Sequence, residues 1–448
     1  MERRSIRLMA GADSVNITPE ESLHLAGYPF VERAGTGSHD PLLSTALFLS
    51  DGNTNVIFIA NDVIFVGKES VARVRRAVSN QTGIPEKNIM VTATHTHSGP
   101  STVTFTAGTQ DPHLPKLNRN YVQYMEAGMV KAACNAFNTA APAELGMAIA
   151  DATGIGTNRH DPDGASDLNV PVLLVKNCDN KKPIACMVIC SMHPTVLHED
   201  STLYSGDFPG LARLILQKEF LSPGCPVLYH LGAAGNQSPR HVTMENTFAE
   251  AFRLGNILAQ AVGRVINEIN CSGDLEITAV QHFIDLPKRN FPGIDQAKTQ
   301  LDKTVRTLEE YRKTNRKRQE IRTAEVNWFG AVESLHLAEL SESNALEDVY
   351  KTCLPTEIQI FRIGTWAFVA WPGEIFIEYA LAIKDQYKNV FIITIANGEL
   401  QGYIVTKEAH DRGGYEASNA IFDYTSGDIL ISETLRLLKT HLPGWTFS

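Results

Sequence analysis

One pattern constrains this chain more than any other. An apolar run of strand length repeatedly ends in a short polar turn that carries Gly or Pro. It occurs in Val91-Thr-Ala-Thr-His95-Thr-His97-Ser-Gly-Pro100, in Cys190-Ser-Met-His193-Pro-Thr195 and in Leu231-Gly-Ala-Ala-Gly-Asn-Gln-Ser238-Pro239. It returns in Ala370-Trp-Pro-Gly-Glu374 and Gly398-Glu-Leu-Gln-Gly-Tyr403. Short apolar runs bounded by such turns read as buried strands. Further runs cover 56–60, 170–175, 184–190, 226–231, 357–363, 366–371 and 390–396.

Helical spacing alternates with these runs. Val71, Val74 and Ala77 mark a helix over 68–79. Met125, Met129, Ala133 and Phe137 recur every four residues and mark another over 121–137. Asp207 reads as the N-cap of a helix that runs through Phe220, with Pro209 in its first turn. A further helix is expected over 248–269, and a last one near 429–442. The alternation predicts an α/β fold: a mixed sheet or sheets flanked by helices, with the active site at the carboxyl ends of strands.

The segment 294–321 differs. It is dense in Lys, Arg, Glu and Thr, and only Ile294, Leu301, Val305 and Leu308 form an apolar stripe. It reads as one long, largely exposed helix, a solvated surface helix in preference to a cap or a contact in a homo-oligomer. One domain over 1–448 is expected, with an inserted or peripheral helical segment at about 292–345.

Composition narrows the function classes. Acidic residues number 50 and basic residues 40, a net charge of −10, so the chain lacks the basic field that nucleic acid rewards. Met1-Glu-Arg-Arg-Ser-Ile-Arg7 leads into no apolar signal core, and no run is long enough to span a membrane. The 7 cysteines are scattered, with no CxxC pair. Reduced thiols in a cytoplasmic protein are the expectation.

The chemistry-bearing residues sit in the turns. His95 and His97 are two apart, so in extended backbone they share a face, where they can share a metal or divide metal binding from proton transfer. His193 alone reads as a core histidine, and Glu374 alone as a cap of the helix that follows. Together, two or three histidines and a carboxylate suit a catalytic zinc site. The Gly232–Pro239 turn lacks the Lys of a P-loop and the GxSxG of an esterase elbow. Ser238 therefore reads as a substrate-contacting hydroxyl. Arg159 either orients substrate or pairs with Asp161, Asp163 or Asp167. The loop 101–120 is expected over the site, with Asp111, His113, Lys116, Asn118 and Arg119 as a polar rim.

At these residues the chain resembles the neutral/alkaline non-lysosomal ceramidases, a family of zinc-dependent amidases. The matching strings are Asn16-Ile-Thr-Pro19, Gly27-Tyr28, Thr94-His-Thr-His-Ser-Gly-Pro100, Asn158-Arg159, His193-Pro194, Ser205-Gly-Asp-Phe-Pro-Gly210, Gly235-Asn-Gln-Ser-Pro239, Pro372-Gly-Glu374, Tyr403 and Tyr415-Glu416, in family order. The resemblance implies zinc held by His95, His193, Glu374 and Tyr403. It implies His97, Tyr415 and Ser238 as catalytic groups, with Arg159 and Ser238 on the substrate. It implies a hydrolase of lipid metabolism that cleaves an N-acyl or related acyl bond through a zinc-activated water, on a small-molecule or lipid-like acyl substrate. The alternatives are a zinc hydrolase of a small soluble amide, ester or lactone, and a non-catalytic binding protein on the same fold. Two departures stand out. The family's C-terminal immunoglobulin-like domain is not expected here, and Asn236 occupies the place of an Asp common in the family's turn.

Overall fold

The computed structural model describes residues 8–106 and 111–441, apart from the Gln319 side chain. The opening residues 1–7, part of the predicted site loop (107–110) and Leu442 lie outside the described residues.

Among the described residues, twelve strands of four or more residues form two sheets. In chain order they are β1 (Met9–Asn16), β2 (Leu43–Ser50), β3 (Asn55–Asn61), β4 (Ile89–Ala93), β5 (Ala141–Asp151), β6 (Asn169–Asn177), β7 (Pro183–Cys190), β8 (Val227–Leu231), β9 (Ile277–Ile284), β10 (Thr356–Ile363), β11 (Trp366–Ala370) and β12 (Val390–Ile393). The larger sheet has the order β8-β7-β6-β5-β1-β2-β3-β4, the smaller β9-β10-β11-β12. Both are mixed: β3/β4, β7/β8 and β11/β12 pair in parallel, and the remaining neighbours antiparallel.

Side-chain alternation explains the layering. On β3, Val56, Phe58 and Ala60 enter the core between the sheets, while Ile57 and Ile59 enter the core beneath helices. On β11 and β12, Phe368, Ala370, Phe391 and Ile393 face the inter-sheet core, and Ala367, Val369, Val390 and Ile392 face the other way. A strand buried on both faces must be apolar throughout, which is why these runs lack the polar alternation of a half-exposed sheet. Phe58 meets Phe361 and Phe368 edge-on across the interface, at ring separations of 5.1 and 5.6 Å. Helices α1 (Lys68–Thr82), α2 (Arg119–Asn138), α3 (Asp207–Glu219) and α4 (Phe248–Ile266) cover the outer face of the larger sheet.

The larger sheet curls until its two edges meet. Thr92 Oγ1 on edge strand β4 hydrogen-bonds His230 Nδ1 on edge strand β8 at 2.8 Å. The chain leaving β12 locks the seam: Thr394 N donates to Leu231 O, while Asn397 N donates to Val91 O. Turns that are far apart in strand order thereby come together.

The charged segment is not one long helix. It divides into α5 (Ile294–Lys313) and α6 (Arg318–Glu342), with Thr314–Lys317 between, and α7 (Leu346–Cys353) follows. The pattern failed because α6 carries a second, buried half, including Ala331, Val332, Leu335, Leu337 and Ala338, beyond the stripe read from sequence. Then come α8 (Ile377–Lys384), α9 (Lys407–Arg412), α10 (Tyr415–Asn419) and α11 (Ser426–His441). Asp207 is not the N-cap of α3: Gly206 is, and Asp207 adopts φ +55°. Its carboxylate accepts from Leu197 N and Phe208 N, so it closes the loop after His193 instead.

Candidate active site

Each strand end delivers one group to the seam. His95 follows β4, His193 follows β7, and Glu374 follows β11. Residues Glu374-Ile375 pair in parallel with Tyr403-Ile404, placing Glu374 directly opposite Tyr403. Neighbours in register project to the same side of a ladder, so carboxylate and phenol share a face.

The backbone at His95 is not extended: φ is +66°, a sparsely populated conformation for a residue with a side chain. The shared-face argument for His95 and His97 therefore does not apply. The two rings nonetheless converge, at a centroid separation of 5.1 Å, and His193 lies 4.8 Å from His95 and 5.8 Å from His97. Gly27 makes room for this. A Cβ there would lie 2.4 Å from the His97 ring, and its φ of +105° also favours glycine. Tyr28 packs edge-on against His97 at 5.2 Å.

Hydrogen bonds set the tautomers. His95 Nδ1 bonds Ile64 O at 2.9 Å and His193 Nδ1 bonds Ala234 O at 2.7 Å. A carbonyl only accepts, so each Nδ1 carries a proton and each Nε2 is left to face the carboxylate or a metal. Both Nε2 atoms face one oxygen: Glu374 Oε2 is 3.1 Å from His193 and 3.4 Å from His95. His95 Nε2 and both nitrogens of His97 are buried without a hydrogen-bond partner. Burial opposes ionisation of Glu374, but His95 and His193 outweigh it and hold the carboxyl well below its usual range. Burial, with His95 and His193 beside it, keeps His97 well below the ordinary imidazole value and therefore neutral.

His95, His97 and His193 present ligand atoms within 4.8 Å of one another, a set that could hold a metal ion. The chemistry of the donors fits. Neutral imidazoles locked by backbone carbonyls are the usual presentation of metal-ligating histidine, and Glu374 adds a hard anionic oxygen. Tyr403, 7% exposed, lies beside Glu374.

Arg159 reaches the same centre. Its guanidinium lies 5.3 Å over the Tyr403 ring, and Nη2 donates to Gly235 O at 2.6 Å. Its ion-pair partner is not Asp161, Asp163 or Asp167 but Glu416, 2.6 Å from Nε. Glu416 also contacts His160 Nε2 at 2.9 Å. Burial alone would raise the Glu416 carboxyl, yet Arg159 and His160 pull it down to about 2. Tyr415 lies next to Tyr403, with ring centroids 6.0 Å apart. Burial raises its phenol above the ordinary value, so it stays a hydrogen-bond donor at neutral pH.

Ser238 Oγ accepts from Arg240 N at 3.3 Å, and the Gln237-Ser238 pair bridges to Thr157-Asn158, just before Arg159. Asn236 has a structural explanation. Its Oδ1 accepts from Ile377 N at the start of α8, while Nδ2 donates to Glu378 at 2.8 Å. An Asp here would face the Glu378 carboxylate. Glu374 is not a helix cap: α8 begins at Ile377, behind Phe376.

Three residues of the expected polar rim have structural roles. Asp111 Oδ2 accepts from Phe30 N at 2.6 Å and Oδ1 from His113 N, so this carboxylate ties the loop down. Asn118 caps α2 through Tyr121 N, and Arg119 begins that helix. An aromatic lip starts two residues from Tyr28: Phe30 packs on Trp328 and Phe329 of α6, at 5.1 and 5.6 Å. An ion pair, Glu199–Arg322 at 3.2 Å, flanks it. A separate cavity of about 290 Å³, lined by Lys68, Arg75, Glu357 and Glu399 among others, contains none of the convergent histidines or Glu374.

Sequence reasoning missed Glu416 as the holder of Arg159, and the aromatic lip. The string Tyr415-Glu416 was visible, but nothing in it said which cation it served. The lip combines chain positions about 300 residues apart, which no local pattern reports.

Residues 9–224 match the model of the family described as neutral/alkaline non-lysosomal ceramidase, N-terminal. That segment contains His95, His97, Arg159 and His193, and ends before Ser238, Glu374, Tyr403 and Tyr415. Neutral ceramidase B of Dictyostelium discoideum is 25% identical over 264 residues, which cover 55% of this chain and 36% of that protein. The chain thus spans about a third of that relative. The crystal structure of neutral ceramidase from Pseudomonas aeruginosa superimposes with a TM-score of 0.74 at 18% identity, over 99% of this chain and 76% of that one. A ceramidase complexed with C2 gives the same TM-score at 16% identity. The fold is that of the neutral ceramidases. Among the described residues, no helix is long and apolar enough to cross a membrane.

Proposed function

We propose that this protein is a zinc-dependent amidohydrolase that cleaves the acyl–nitrogen bond of an N-acyl, ceramide-like substrate. The observation that carries this reading is the approach of two carbonyl-locked imidazoles, His95 and His193, to one carboxylate oxygen of Glu374. His95, His193, Glu374 and Tyr403 would hold the metal. Zinc, when bound, lowers the pKa of water and polarises the acyl carbonyl.

The remaining steps fall to the chain's own groups. His97, neutral and without a partner at either nitrogen, accepts the proton of the attacking water. Tyr415, protonated at neutral pH, donates to the oxyanion that develops on the former carbonyl oxygen. Arg159, braced by Glu416 and Gly235 O, orients the substrate's polar atoms. Ser238 offers its hydroxyl as a further donor, because its oxygen already accepts from Arg240 N. The aromatic lip of Phe30, Trp328 and Phe329 suits an acyl chain.

The Glu199–Arg322 pair on the same lip favours a second reading, a soluble amide, ester or lactone. One assay separates the two: hydrolysis of short- and long-chain N-acylsphingosines in detergent, beside small amides, esters and lactones. A kcat/KM near ~10⁴ M⁻¹s⁻¹ or above on long-chain ceramide supports the lipid reading. Turnover confined to soluble substrates supports the second. No hydrolysis by the zinc-loaded protein overturns both.

A further inference from the structure

Helix α6 lays one stripe along the site. Arg322, Phe329, Glu333 and His336 are spaced at 7, 4 and 3 residues, so they share a face. Its members are anchored to elements that rim the site. Arg322 pairs with Glu199, and Phe329 stacks on Phe30, two residues from Tyr28. His336 Nε2 bonds Thr106 O at 3.0 Å. On the flank, Gly330 lets α6 touch α10: a Cβ there would lie 3.1 Å from the Tyr415 Cα and 3.0 Å from the Ser418 Cβ. Glu333 follows Gly330 by three residues and lies among these anchors.

Glu333 is 8% exposed, and no hydrogen bond or ion pair reaches its carboxyl among the described residues. Buried carboxylates are ordinarily paired, because an unpaired buried charge is costly. Burial alone pushes this group up to about 7, and its charge in turn raises the Tyr415 phenol. The other buried carboxylates around the centre all have partners: Glu374 has His95 and His193, Glu416 has Arg159 and His160, and Asp207 has backbone amides. Glu333 is the exception, one turn along from Gly330 on the helix that touches Tyr415.

We propose that Glu333 is a specificity-determining residue whose carboxylate binds the amine half of the substrate, holding the ammonium of the released amine beside Tyr415. The proposal rests on the amide-hydrolase reading and deepens it: the scissile bond joins an acyl chain to an amine that is cationic once free. The alternative, a purely structural carboxyl, predicts no charge preference at the site.

The test is calorimetric binding of octylamine and octan-1-ol to the full-length, zinc-loaded protein at pH 8. Wild type should bind octylamine at least about 10-fold more tightly than the isosteric alcohol. Glu333→Gln should abolish that preference while leaving octanol affinity and bound metal unchanged, and Glu333→Asp should restore part of it. Equal preference in wild type and Glu333→Gln, or none in wild type, would overturn the proposal. If Glu333→Gln fails to fold, Glu333→Asp and wild type still decide: a preference that ignores the shortened carboxylate counts against it. Amide hydrolysis is measured in parallel. Hydrolysis without amine preference sinks this inference alone. Amine preference without hydrolysis of any amide sinks the hydrolase reading and leaves the carboxylate site standing.

Discussion

Imidazoles whose Nδ1–H groups are tied to carbonyls can offer a metal only Nε2, and that fixes what single substitutions do at the centre. His95→Ala or His193→Ala should each lower bound zinc severely, as measured by elemental analysis of protein purified without added metal. Full zinc in both variants would show that the ligands are misassigned. His97→Ala should keep its metal and lose turnover by roughly 10²–10⁴. The geometry leaves a sharp alternative, because His97 also lies within the three-histidine cluster. Loss of zinc in His97→Ala would make it a ligand and move Glu374 to an outer role. A different residue-scale test concerns Asp207, wholly buried and pushed up to about 7 by burial. Its folded pKa exceeds the unfolded value, so the folded state binds the extra proton. Stability from this group is therefore full below about pH 4 and lost as pH rises through about 7. The loss is roughly 2–4 kcal/mol. Asp207→Asn should flatten that part of the stability profile in urea titrations from pH 5 to 8; an unchanged slope would remove Asp207 from the account.

At the scale of elements, the fold was legible wherever burial is two-sided. The runs at 56–60 and 170–175, and the first four residues of the run at 390–396, are strands because both faces pack, and their apolar continuity says so without any partner being known. The turns were legible as the place for chemistry, since strand ends supply them. What could not be read was curvature. Only the curl that joins β4 to β8 through Thr92 and His230 explains why His95 and His193 meet, and neither residue advertises that role. The split of 294–321 was hidden for a related reason: α6 is exposed at its start and buried later, so no single stripe describes it. Arg159 and Glu416 illustrate the cost of such non-local pairing. Glu416→Gln should leave Arg159 charged, buried and poorly matched. Removing one partner of a buried pair costs about 3–5 kcal/mol. Denaturant unfolding should register that loss, and kcat/KM should fall because the guanidinium over Tyr403 is no longer braced. Wild-type stability in Glu416→Gln would mean that Gly235 O alone suffices to hold Arg159.

The two larger sheets share an inter-sheet core, and the candidate metal residues come from both. His95 and His193 hang from the larger sheet, while Glu374 and Tyr403 follow strands of the smaller. A metal held by all of them would clamp the sheets at the seam where Thr394 and Asn397 already bond Leu231 and Val91. A ligand that binds only the folded state stabilises it by mass action, by about 4 kcal/mol at a thousandfold excess over Kd. For a chain of this size that is a rise of roughly 4 °C in melting midpoint. Chelation should therefore lower the midpoint by about that much, and added zinc should restore it. The change should also be local. In hydrogen exchange, the amides of Ala93, Thr394 and Asn397, which donate across the seam, should lose protection on chelation. Amides of β3 around Phe58, packed in the inter-sheet core far from any ligand in sequence, should keep theirs. Uniform loss of protection would show that the metal supports the fold globally and does not clamp the seam. No change in midpoint or exchange would mean that the centre forms without metal, with His95, His193 and Glu374 held by their own contacts.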